Sequence, residues 1–181
     1  MKIRQTIFLL PLFLLAGCAS AGGSQSRDLD LKELCTEEQV FQYADFEWGT
    51  DSEQRFKQSS LKFDEKDLGQ GDESSTKTYE SKEKFSLENA ESNMDLEFPD
   101  GQLSQVSFTF DIEQDANTWI QKEVDELNSL YGGGIATGLG NQIYQWQGEQ
   151  DTVLQLTAFT EGDESATVIL SVASMEYSIG S

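Results

Sequence analysis

Residues 106–112 read VSFTFDI, and no other run limits the folding of this chain as strongly. Val106, Phe108, Phe110 and Ile112 alternate with Ser107, Thr109 and Asp111. A period of two places the apolar set on one side of a strand and the polar set on the other. Upstream, NMDLEF puts Met94, Leu96 and Phe98 on one side, and PDGQ between the runs is turn chemistry. The pair predicts a hairpin in a sheet packed on one face and wet on the other. QIYQWQ, TVLQLTAFT and ATVILSVAS repeat the strand signal, and the turns GEQD and EGDES suit antiparallel neighbours.

One segment has the other period. Ile120, Val124, Leu127 and Tyr131 form a single helical stripe, and Gly132 is placed to end it. The expected fold is α+β: an antiparallel sheet of about six to seven strands against one main helix at about 115–131. Short N-terminal helices complete it. One runs from Thr36 to Tyr43, with Thr36 and Gln39 as a capping box. Another is capped by Thr50 or Asp51 and ends near Ser59. KTYESKEKFSL reads as an exposed strand, and SLKFDEKDL alternates at Leu61 and Phe63. A helix followed by an antiparallel meander, taken twice, loosely resembles the tandem layout of secreted inhibitory proteins that bind β-lactamases. That resemblance rests on element order and implies a sheet that binds another protein.

The first residues, MKIRQTIFLLPLFLLAGC, have a positive head and a short apolar run, the layout of a secretory signal. The run is about half the ~20 residues that a spanning helix needs. Leu15, Ala16, Gly17 and Cys18 resemble a bacterial lipobox. The resemblance implies cleavage before Cys18 and a lipid on its thiol. Ala19 in place of Asp implies the outer membrane of a two-membrane cell, or the outer surface of a single-membrane one. More than one acyl chain is needed for a stable hold, because each buried methylene adds only ~0.8 kcal/mol. The expected division is a signal peptide over 1–17, a lipidated tether over 18–35 and one domain over 36–181. Within the tether, Leu29, Leu31 and Leu34 form an early docking segment.

The chain has 33 acidic and 12 basic residues. That balance argues against nucleic acid, which is held through Lys and Arg on phosphates. It serves solubility first, and its functional readings are a partner with a basic surface, steered by the field, or divalent cations. Eleven Phe, three Trp and five Tyr are too many for a disordered chain.

Histidine is absent, which removes Ser-His-Asp and Cys-His catalysis and His-ligated metal sites. Ser-x-x-Lys occurs at 59–62, 74–77 and 81–84, without the partner motifs of serine acyl-transfer enzymes. YGGGIATGLGN has phosphate-loop spacing, but Leu139 takes the lysine position and the loop follows a helix. DEKDLGQGDE at 64–73 lacks calcium-loop register. Cys35 sits among carboxylates, which favours an inert thiol.

Trp48, Trp119 and Trp146 are core candidates first. The binding-surface candidates are Tyr144 and Trp146, with the glycine loop Gly132, Gly133 and Gly134. The expected function is non-catalytic protein or peptide binding at the cell envelope, with no metal and no cofactor. The alternatives are an envelope hydrolase using paired carboxylates and a purely structural envelope component.

Overall fold

The computed structural model describes residues 26–67, 75–137, 142–162 and 164–178. Cys18 and its motif lie outside the described residues. The fold is α+β, a mostly antiparallel sheet with one main helix against it. Its strands are β1 (Arg27–Asp28), β2 (Phe63–Glu65), β3 (Lys77–Leu87), β4 (Ala90–Phe98), β5 (Gln105–Ile112), β6 (Ile135–Thr137), β7 (Gln142–Gln147), β8 (Thr152–Glu161) and β9 (Ser165–Ser174). The helices are α1 (Ser52–Gln58), α2 (Ala116–Tyr131) and the single turn α3 (Met175–Ser178). The sheet has nine strands instead of six to seven, because β1, β2 and β6 have two or three residues each. Runs that short carry no readable alternation.

The order across the sheet is β1-β3-β4-β5-β9-β8-β7-β6, and β2 pairs beside β1 on the same edge of β3. Only the β1–β3 pair is parallel. The chain therefore makes a helix and a four-strand meander twice: α1 with β2 to β5, then α2 with β6 to β9. The last strand of each meander pairs with the other through eight residues, from Gln105 opposite Ala173 to Ile112 opposite Ala166.

Both helices lie on the same side of the sheet. Phe56 of α1 stacks on Phe63 and meets Tyr79 and Phe98 edge-on. Trp119 of α2 packs on Phe110. Asp51 caps α1 by accepting the Gln54 N–H at 2.9 Å. Ile120, Val124 and Leu127 are buried as the stripe requires. Each contributes about 1.5–3 kcal/mol on leaving water.

The segment ahead of α1 differs from its reading. Leu29, Leu31 and Leu34 are buried, Arg27 and Asp28 pair with β3, and Leu31–Leu34 form a 3-10 turn. These leucines dock on the sheet, so the folded unit begins at Arg27 and the expected tether over 18–35 is folded from there on. Thr36–Tyr43 is not a helix. Its Thr36 hydroxyl accepts the Val40 N–H, but Gln39 turns to φ 62° and Cys35 bridges Phe41 as an antiparallel pair. Burying Val40, Phe41 and Tyr43 against the sheet overrides the local capping signature.

Candidate functional site

The register sorts every strand residue to a side. Met94, Leu96, Val106, Phe108, Leu154, Leu156, Leu170 and Val172 point toward the helices and are buried. Their alternates point the other way, where no described helix packs. One row on this open face crosses eight strands in order: Asp64, Glu80, Asp95, Ser107, Ser171, Gln155, Gln145 and Ile135. Charge fills the first three places and is absent from the last five.

The uncharged part belongs to β5 and the second meander. Next to that row run Thr109, Ile169, Thr157, Ile143 and Thr137. Gln145 donates to the Gln155 side-chain oxygen at 2.6 Å, and Gln155 donates to the Thr157 hydroxyl at 2.8 Å. These amides are held in place by one another. Ile135 is 60% exposed and Phe159 43%, and both lie on this face. No lysine or arginine follows Lys122 in the sequence. Apolar and neutral polar groups thus lie side by side on this half of the face, in a chain of net charge −21.

On the first meander the open face is ion-paired. Lys66 reaches Glu80 at 3.0 Å and Asp95 at 2.9 Å. Burial alone would lower the Lys66 proton affinity, but hydrogen bonds to Asp95 and Glu80 outweigh it and raise it. Burial raises Asp95 despite its lysine partner, and burial with the nearby Asp95 charge raises Glu97. Lys82 pairs with Asp64, and Lys84 with Glu91.

Tyr144, Trp146 and the glycine loop, the binding-surface candidates of the sequence, are on the helix side of the sheet. Trp146 is 3% exposed and faces the helices opposite Leu154, and half-buried Tyr144 packs on the core beside it. The alternation that made them neighbours also sends both inward. The Trp146 indole N–H donates to the Gly132 carbonyl at 2.9 Å and to Asn128 Oδ1 at 3.2 Å. That same Asn128 oxygen accepts the Gly134 N–H at 2.8 Å. A Cβ on Gly134 would stand 2.6 Å from the indole, so this position must lack one. Gly132, Gly133 and Gly134 thus end α2 and carry the backbone across a buried ring. Trp48 donates its N–H to the Phe41 carbonyl, and Trp119 packs against the core. No tryptophan makes an exposed platform.

Comparison with family models, curated proteins and solved structures finds no match to this chain.

Other chemistry tested in the sequence is placed as follows. Ser81 of one Ser-x-x-Lys is buried and donates to the Glu83 carbonyl while accepting the Met94 N–H. Cys35 lines a cavity of about 310 Å³ with Phe41, Tyr131 and Gln147, and burial raises its thiol pKa. Residues 68–73 of the tested calcium stretch lie outside the described residues. Among the described residues no three His, Cys, Asp or Glu side chains gather to hold a metal. Glu123 is the residue that sequence reasoning missed. It is 1% exposed under α2, neither carboxylate oxygen has a partner, and its pKa rises to about 7. Burial is the main cause, followed by the charges of Glu126 and Glu88. Its place next to Val124, on the flank of the apolar stripe, was the available signal. Glu123 lies on the helix side of the sheet and Asp95 and Glu97 on the other, so these altered carboxylates do not pair as acid and base.

Proposed function

We propose that this chain is a lipid-anchored protein of the bacterial envelope whose open sheet face binds another protein. The observation that carries the binding reading is the face itself: a side of the sheet over β5 to β9 with no helix on it, where Ile135, Ile143, Gln145, Val153, Gln155 and Ile169 reach solvent around the close-packed Ser107, Thr157 and Ser171, free of charge along its two central rows. Main-chain pairing in the sheet holds this surface rigid, so little ordering entropy is lost on contact. The anchoring reading rests on Leu15, Ala16, Gly17 and Cys18, with Ala19 favouring the outer membrane. No helix among the described residues is long and apolar enough to cross a membrane. That fits a covalent lipid as the attachment. The partner is a protein or peptide with basic groups, matched to the surplus of carboxylates.

The test places a photo-crosslinking residue at Thr157, Gln145 or Gln121 of the native envelope protein. Thr157 and Gln145 lie on the open face, and Gln121 is exposed on the outside of α2. The expected result is one common adduct from Thr157 and Gln145 and none from Gln121. Equal labelling from all three positions, or no defined adduct from the face, defeats the reading. For the anchor, Cys18→Ser should release the protein from membranes into the soluble fraction.

A further inference from the structure

We infer that the end of the open face nearest α3 holds a docking groove for a basic side chain, foremost arginine, of the bound partner. The inference rests on the open-face reading and adds the chemistry of one contact. A cavity of about 530 Å³ opens there, lined by Gln145, Gln147, Asp151, Val153, Met175 and Glu176. Gln147 lies opposite Val153, and Gln145 is two residues along, so all three project from the open side. The Met175 N–H donates to the Asp151 carbonyl at 2.9 Å, which fixes α3 against the β7–β8 turn. Met175 is 50% exposed, one of three large apolar side chains so placed among the described residues.

The composition of the groove specifies its occupant. Val153 and Met175 offer an apolar track for a methylene stem. Asp151 and Glu176 are exposed, and neither forms an ion pair with a described residue. No basic residue lies within the second meander to neutralise them. Gln145 uses its amide N–H₂ on Gln155 and leaves its own carbonyl oxygen open. Carboxylate and amide acceptors sharing a groove with apolar side chains fit a guanidinium, whose planar fork donates to several oxygens at once. An ammonium fits less well, because it is a single strongly hydrated point charge.

The test uses the full-length acylated protein in detergent micelles, labelled with ¹³C at methionine methyl groups. Met175 reports on the groove and the fully buried Met94 serves as the internal control. The probe is an extended heptapeptide, Ser-Val-Thr-Arg-Thr-Val-Ser, compared with versions carrying Lys or norleucine in place of Arg. The Arg peptide should shift Met175 and leave Met94 unmoved, and bind about fivefold more tightly than the norleucine peptide. Asp151→Asn with Glu176→Gln should erase that preference without weakening the norleucine peptide. Added salt should weaken only the Arg and Lys peptides. The inference is overturned if Met175 does not respond at millimolar peptide, or if the Arg preference survives the double substitution. Either failure, with crosslinks at Thr157 and Gln145 intact, removes the groove and leaves the open-face reading. Loss of those crosslinks removes the open-face reading itself.

Discussion

Each of the two longer helices hides one charged-type side chain, Arg55 in α1 and Glu123 in α2, and the two sites are built differently. Arg55 donates to the Asp45 carbonyl at 2.6 Å, pairs with the Asp45 carboxylate at 3.4 Å and lies 4.1 Å over the Phe46 ring. Glu123 has no partner for either oxygen. The same contrast runs through the open face. The first meander covers its side with Lys66, Lys82 and Lys84 pairs. The second has no basic residue to pair and avoids charge on its central rows. Equal element order therefore does not mean equal electrostatics. The first unit pairs its lysines with carboxylates across its open face, and the second leaves neutral surface and unpaired carboxylates at its rim.

The largest expected effects test what the units share. Phe98→Ala in the first and Trp146→Ala in the second should each cost about 3–5 kcal/mol in urea unfolding. A loss below 1 kcal/mol at either would break the likeness of the two covered faces. Next comes Glu123. In the folded chain it holds its proton to about pH 7, against about 4.5 unfolded. Between those values the folded state binds more protons, so stability falls as pH rises, and the loss is complete above pH 7. Glu123→Gln should remove about 2–3 kcal/mol of that dependence. The variant should match the parent near pH 4 and exceed it at pH 8, as read by thermal unfolding. A constant gap across pH would show that Glu123 does not titrate in this window. Arg55→Met should cost about 2 kcal/mol through its lost bond and ring contact, with little change between pH 5 and 8. The smallest stability effect sharpens the contrast in faces. Gln145→Lys should move unfolding by less than about 0.5 kcal/mol yet abolish the Thr157 crosslink. Lys84→Gln, on the paired half, should leave that crosslink intact.

The long periodic elements were legible in the sequence. The stripe from Ile120 to Tyr131, the hairpin of β4 and β5, and the strands β7 to β9 all follow from spacing alone. Their side chains are numerous enough for burial to dictate a period. The misread parts are those where local and distant forces disagree. Thr36 and Gln39 carry a helix-start signature, but Phe41 and Tyr43 gain more by reaching Tyr131, Phe85 and Phe108. The open face is hard to read in the sequence for a related reason. Tyr144 and Trp146 draw attention as aromatics, while Ile143, Gln145 and Gln147, their quiet alternates, form the open surface. Which side of a strand is covered depends on where the helices land, and alternation alone does not say.

The strand order bears on when this protein acquires its shape. The midline of the sheet is the β5–β9 seam, and β9 follows every other strand in the sequence. Two half-sheets with raw inner edges must therefore wait for one late segment to stitch them, a closure across some sixty intervening residues that delays assembly. A chain made from its N-terminus emerges in that same order, so the whole sheet cannot close until the seam strand arrives.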